Sequence, residues 1–201
     1  ITGQIYIDGN GRYNGEDTLT IQNVKFAYDA ATYDDAFINA PNTKTTGKVY
    51  TTGAYNYAHN VTVSNCEFAG SGETTVAFRV ASGSGAHNVN LTDLTVTGGH
   101  SVAQLVGVKD LTITGCTATG VKNGINISGG DGTGTISGST ITAQGYTVRL
   151  KDASGMAVSL ADNTFSGSEG IISNASSGGT ITVESGAYNG ALGNSADKLI
   201  I

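Results

Sequence analysis

The sequence lacks most of the residues that build a helical or membrane-embedded domain. Its 201 residues include one proline, one methionine, two cysteines and no tryptophan, and only 13% of them are charged. No segment repeats apolar residues at i, i+3, i+4 and i+7 beyond two turns, which excludes a helical domain. No apolar run approaches the roughly 20 residues of a membrane-spanning helix, so we expect no membrane span.

Positive charge is also scarce. The chain has 10 Lys and Arg against 16 Asp and Glu, which gives a net charge of −6. Nucleic-acid binding needs clustered Lys and Arg to neutralise phosphates, so we expect no nucleic-acid partner. The sequence opens at Ile1 inside a strand-like pattern and shows no signal peptide. We therefore expect a mature or excised segment of a longer polypeptide with flanking domains.

A short motif recurs where helical periodicity is missing. It reads apolar-Thr-apolar-polar-small, as in Leu111-Thr112-Ile113-Thr114-Gly115, and its copies begin at residues 19, 61, 89, 111, 134, 158 and 181. The starts are 42, 28, 22, 23, 24 and 23 residues apart. A period in the twenties predicts a solenoid, in which each repeat buries its apolar face against its neighbours.

Each repeat contains three short strand patterns joined by Gly- and Asn-rich turns. In the first, the motif itself, apolar residues point inward and Thr points outward, because side chains alternate along a strand. The second follows at once, as in Leu94-Thr95-Val96, and the third comes after a turn, as in Val148-Arg149-Leu150. We predict an all-β solenoid of about seven to eight coils, each of 22–24 residues with three short strands.

Three strands in a coil of this length resemble the right-handed, single-stranded parallel β-helix of the pectate-lyase-like superfamily. The resemblance spans residues 5–201 and rests on the segment 111–120 and its six relatives. It implies a single β-helix domain over residues 1–201. It leaves function open, since that fold carries lyases, hydrolases, phage tailspikes and bacterial surface adhesins. The segment Ile181–Gly190 is similar, more loosely, to Gly/Thr-rich repeats of large Gram-positive surface proteins.

The two cysteines occupy the same position in different repeats. Cys66 and Cys116 are separated by one intervening repeat, which has Leu94 at that position. Two strand spacings put their Cα atoms roughly 9–10 Å apart, whereas a disulfide needs less than about 7 Å. We predict free, buried thiols that behave as small apolar residues.

A polysaccharide-cleaving enzyme needs acids and bases that converge on one groove. Asp34-Asp35, Gly99-His100 and Arg149-Leu150-Lys151 are similar to motifs of polygalacturonase-like enzymes, but their Asn-Thr-Asp is missing and Ser101 replaces the Gly after His. Strand spacing places the outer members roughly 20 Å apart, too far for one site. Because no acidic cluster adjoins the third strands, we assign no catalytic residue, no metal and no cofactor.

Hydrogen-bonding side chains occupy outward positions of the third strands. They are Arg79, Gln104, Asn126 and Arg149, with Lys151 beside them. Such groups suit the hydroxyls and carboxylates of glycans. The alternative is a polar face that only contacts water.

Residues 28–60 interrupt the period and predict a loop insertion. Insertions in solenoids often lie on the binding face. This interval contains five of the nine tyrosines, of which Tyr50, Tyr55 and Tyr57 are candidates for stacking on sugar rings. The alternative is that these aromatic side chains cap the adjacent coil.

Taken together, the sequence favours a non-catalytic, extracellular or cell-surface β-helix module, bacterial in origin. We expect an adhesin or stalk segment that binds glycans or host or cell-surface polysaccharide. The alternative function is a polysaccharide lyase or glycoside hydrolase of the pectate-lyase-like superfamily.

The predicted alternation of side chains can be tested at neighbouring positions of one motif. Ile113→Asn should lower the free energy of unfolding by several kcal/mol, because it buries an unsatisfied amide. Thr112→Asn should cost less than about 1 kcal/mol, since its side chain points outward. Chemical denaturation of both variants measures the difference, and equal losses would mean that the alternation is wrong.

Overall fold

A computed structural model describes residues 5–7, 18–27, 36–40, 43–46, 49–52, 59–70, 75–80, 87–176, 178–193 and 199–201. Within these ranges the chain forms strands and no helix. Nearly all strands belong to three parallel sheets, and the chain visits each sheet once per coil. The prediction of an all-β solenoid with three strands per coil is confirmed.

Sheet 1 is formed by the repeat motif. Its strands are β2 (Leu19–Gln22), β7 (Val61–Ser64), β10 (Val89–Thr92), β13 (Asp110–Thr114), β16 (Asp131–Ser137), β19 (Gly155–Ala161), β22 (Thr180–Val183) and β24 (Leu199–Ile200). The first residues of all seven motif copies pair with one another, from Leu19 to Ile181, without a slip in register. The unequal spacing of the copies is therefore absorbed outside this sheet.

Sheets 2 and 3 complete the coils. Sheet 2 contains β3 (Lys25–Ala27), β8 (Glu67–Ala69), β11 (Thr95–Thr97), β14 (Thr117–Val121), β17 (Thr140–Ala143), β20 (Asn163–Gly167) and β23 (Gly186–Asn189). Sheet 3 contains β1 (Ile5–Tyr6), β4 (Ala36–Ala40), β9 (Val76–Val80), β12 (Ser101–Val106), β15 (Ile125–Ser128), β18 (Tyr146–Lys151) and β21 (Gly170–Asn174). From β2 to β21 the described chain passes through the three sheets six times. β1 belongs to an incomplete coil before them, and β22, β23 and β24 belong to incomplete coils after them.

An antiparallel hairpin lies within the predicted insertion. It consists of β5 (Thr43–Thr46) and β6 (Val49–Thr52), with Thr43 paired to Thr52. The interval 28–60 also contains β4, which pairs with β9 as an ordinary strand of sheet 3. The regular coil thus extends as far as Ala40, and the hairpin follows it.

The core is a column of apolar side chains enclosed by the three sheets. Ile113 is fully buried while Thr112 beside it is exposed, as the alternation predicts. Near the N-terminal end Phe26 stacks on Phe68, with ring centroids 4.9 Å apart, and Phe37 packs at a tilt against both. Each such buried side chain contributes roughly 1.5–3 kcal/mol through removal of apolar surface from water.

The corner between sheets 1 and 2 has one backbone conformation in six successive coils. Positive φ angles of 50–65° occur at Asn23, Asn65, Asp93, Gly115, Gly138 and Asp162. Glycine adopts this left-handed region freely, and Asn and Asp do so more readily than other residues. This requirement explains the small or Asx residue at the fifth position of the motif. In addition, the Asn65 amide donates a hydrogen bond to the Asn23 side-chain oxygen at 2.7 Å.

The next position of the motif is buried in the five copies from Cys66 to Asn163, and polar side chains at this position form hydrogen bonds along the column. The backbone N–H of Ser139 donates to Asn163 Oδ1 at 3.0 Å, and that of Cys116 donates to Ser139 Oγ at 3.1 Å. Asn163 Nδ2 donates to the carbonyl of Ile136. Cys116 and Cys66 share this column and are free and buried, so the prediction of unpaired thiols is confirmed.

Burial gives Cys116 a measurable effect on stability at alkaline pH. It raises the pKa of this thiol from 9.0 to about 11. Between these values the unfolded chain releases a proton that the folded chain retains, so stability falls as pH rises. The loss approaches about 3 kcal/mol, because each tenfold difference in proton affinity between the two states corresponds to about 1.4 kcal/mol. Denaturation at pH 8–11 should show this loss in the wild type, in excess of that in Cys116→Ala. Equal pH dependence of the two proteins would contradict the assignment.

Candidate binding face

The predicted ligand-binding residues of the third strands align on one face of sheet 3. Arg79, Gln104, Asn126 and Arg149 are direct neighbours in register on β9, β12, β15 and β18; we call these four residues the sheet 3 row. The row continues in register to Asn39 on one side and to Ser173 on the other. Residues on both sides of each row member, such as Ile125 and Ile127, are buried. The row therefore points away from the core.

The dimensions of the row follow from strand spacing. Neighbouring strands are about 4.8 Å apart, so Arg79 and Arg149 are separated by roughly 14 Å across three spacings. Lys151 lies two residues beyond Arg149 on the same face, in register with Ser128. Its ammonium group is 3.9 Å from the Asp152 carboxylate, and both side chains are mostly exposed. Such an exposed pair contributes little to stability.

Asn126, in the middle of the row, has an unsatisfied side chain. Its amide nitrogen and oxygen are both shielded from solvent, and neither has a hydrogen-bond partner among the described residues. Nine in ten or more buried polar groups in folded proteins are hydrogen-bonded. A buried group without a partner costs about 1–3 kcal/mol. The fold thus carries an energetic penalty at the centre of this face.

Only one of the candidate tyrosines lies in the described part of the chain. Tyr50 is on β6 of the hairpin, in register with Thr45. Tyr55 and Tyr57 lie outside the described residues. Stacking of these aromatic side chains on sugars stays a prediction.

The residues that resemble a hydrolase site are not brought together where the structure describes them. Asp34 and Asp35 lie outside the described residues. His100 precedes β12, and β15 lies between that strand and β18, which carries Arg149. The two strands are roughly 10 Å apart. Arg149 is also aligned with Gln104, four residues beyond His100, and this adds roughly 13 Å along the strand direction.

The described residues contain neither a cluster of metal-binding side chains nor a membrane-spanning helix. No group of three or more His, Cys, Asp or Glu side chains there is placed to hold a metal ion. The same ranges contain no helix with the length and apolar character needed to cross a membrane.

The sequence predicted the four members of the row, but neither the residues in register at its two ends nor the unpartnered amide of Asn126. Ser173 and Asn39 could have been found by extending the register of Arg149 and Arg79 by one coil. The missing partners of the Asn126 amide have no signal in the sequence, because they depend on how neighbouring side chains pack.

The chain was compared with protein-family models, curated proteins and solved structures, and no match was found in any of the three.

The penalty at Asn126 should be measurable. Asn126→Val should raise the free energy of unfolding by about 1 kcal/mol or more, because it removes a buried amide that has no partner. Asn90→Val is the matched control: Asn90 is in register with Thr62 and Thr112 on sheet 1, and its amide donates to the carbonyl of Asn88. We expect no gain there. Chemical denaturation decides, and a loss of stability in Asn126→Val would contradict this account.

Proposed function

We propose that this chain is a non-catalytic, extracellular or cell-surface module of a bacterial adhesin or stalk, and that it binds glycans through the sheet 3 row. The repetitive coils provide a stiff scaffold that holds outward side chains at a fixed spacing. The row presents cationic and amide groups, which are suited to carboxylates and hydroxyls.

The observation that carries this proposal is the unpartnered amide of Asn126 between Gln104 and Arg149. An unsatisfied buried polar group calls for an explanation, and a ligand contact is one of them. The amide both donates and accepts hydrogen bonds, as sugar hydroxyls also do. A ligand would reach it once the neighbouring long side chains part.

The charge of the row favours glycans that carry carboxylates. Arg79 and Arg149 stand on one face of a chain whose net charge is −6. An arginine guanidinium binds a carboxylate through two parallel hydrogen bonds. Their separation of roughly 14 Å suits an extended acidic oligosaccharide better than a single sugar.

The proposal also includes the relationship of this chain to two groups of proteins. Three-stranded parallel coils support a relationship to the pectate-lyase-like superfamily, and the closing repeat supports one to large Gram-positive surface proteins. The low charge and the richness in Gly and Thr are in keeping with a location outside the cell. Binding by an open sheet face should be weak, because a row on one face gives little enclosure of a ligand.

A glycan array of neutral and acidic oligosaccharides tests the proposal. Arg79→Ala/Arg149→Ala should weaken binding of acidic glycans at least 10-fold, since both charge-assisted contacts are lost. Asn126→Val should also weaken it despite a more stable fold. The matched control is Lys25→Ala/Lys109→Ala, which removes two exposed positive charges outside sheet 3 and should leave binding unchanged.

Three results would overturn parts of this proposal. Binding that survives the double arginine substitution would move the site away from the row. If the protein bound no glycan on the array, we would conclude that the module is a structural spacer. Release of unsaturated sugar products would favour the alternative of a polysaccharide lyase.

A further inference from the structure

Two of the three histidines of the chain meet at the corner that leads into sheet 1. His59 and His87 each lie two residues before a strand of that sheet, and Val61 pairs with Val89, so they hold equivalent positions in neighbouring coils. Their Nδ1 atoms are 2.6 Å apart, and their ring centroids are 4.1 Å apart with a tilt of 48°. His59 is only 7% exposed.

The backbone that carries both rings is fixed on the C-terminal side. Asn60 and Asn88 follow the two histidines and have positive φ angles of 52° and 54°. The Asn88 amide donates to Asn60 Oδ1 at 2.6 Å, and the backbone N–H of Asn60 donates to the carbonyl of His87 at 3.0 Å. Ligands held by such a supporting layer keep their geometry.

A contact of this length between two imidazole nitrogens requires one Nδ1 to donate and the other to accept. At least one lone pair therefore already points at the space between the rings. We propose that His59 and His87 form a two-histidine binding site for a divalent first-row transition ion such as Zn²⁺. Neutral imidazole is a preferred ligand of such ions. The donating ring would shift its proton from Nδ1 to Nε2 through solvent, so binding releases no net proton.

Ion binding would require the two rings to separate and to turn toward a shared point. Zinc–nitrogen bonds of about 2.0–2.1 Å in tetrahedral geometry place two ligating nitrogens about 3.3 Å apart. The Nδ1 atoms must therefore separate by about 0.7 Å from their 2.6 Å contact. The rings would part by rotation of their own side-chain torsions, while the two strands keep their spacing of about 4.8 Å.

The neighbouring charge does not oppose a cation strongly. The next coil has Lys109 at the equivalent position, because Val89 pairs with Leu111. The Lys109 ammonium lies 3.6 Å from the Asp131 carboxylate, which compensates its charge. Since the described residues supply no third His, Cys, Asp or Glu ligand, water or an external donor would complete the coordination. The affinity should be below that of closed structural zinc sites, which have four protein ligands.

Calorimetric titration with Zn²⁺ tests whether the two histidines bind a metal ion or only pack against each other. The wild type should bind one ion, whereas His59→Asn and His87→Asn should each bind at least 10-fold more weakly. The matched control is His100→Asn, which removes the third histidine and should bind as the wild type does. Zn²⁺ should raise Tm only in the two proteins that bind it. No binding by the wild type, or equal binding by all four proteins, would overturn the proposal.

A second measurement uses the wild type alone, so its result does not depend on whether the substituted proteins fold. Substoichiometric Cu²⁺ is paramagnetic and broadens the NMR signals of the imidazoles that it contacts. The signals of His59 and His87 should broaden before that of His100. Broadening of His100 first, or of all three histidines together, would overturn the site.

Discussion

Register between neighbouring coils is the constraint on which the rest of this structure depends. Side chains alternate along a strand with a period of two, so a slip by one residue would expose Ile113 and bury Thr112. Every motif copy from Leu19 to Ile181 nevertheless pairs in the same register. The apolar residues enforce it from inside, and the left-handed corner residues do so at the turn between sheets 1 and 2. Irregularities of the repeat occur outside sheet 1, for example at the β5–β6 hairpin and at a register shift between β14 and β17 in sheet 2.

The same register creates every arrangement of polar side chains that we propose to be functional. Arg79 and Arg149 are far apart in sequence but only three strands apart in sheet 3. His59 and His87 meet for the same reason, although 28 residues separate them. Neither arrangement has a local sequence motif. A functional residue in this fold is recognised by its neighbours in the column, above and below.

The sequence predicts those features that repeat in every coil, and it does not predict those that depend on individual side chains. The motif was sufficient for the three strands, the burial of Ile113 and the unpaired state of Cys66 and Cys116, because all of these depend on repeated backbone positions. The motif copies that begin at residues 61 and 89 give His59 and His87 equivalent positions, but the contact between their rings depends on side-chain packing. Nor did the motif reveal the unpartnered Asn126 amide or the β5–β6 hairpin. The hydrogen bonding of the Asn126 amide depends on how neighbouring side chains pack. The β5–β6 hairpin is a local pairing that occurs in no other repeat among the described residues.

The geometry of a solenoid face also bears on the proposed binding of a polymer. In the proposed function, side chains of the sheet 3 row would contact a ligand from one side. A row adds one contact per coil, at intervals of about 4.8 Å. A polymer that spans several coils makes several weak contacts at once, and its overall affinity exceeds that of any single contact. Under the proposal, repetition of coils would thus allow a repetitive ligand to bind without an enclosing pocket.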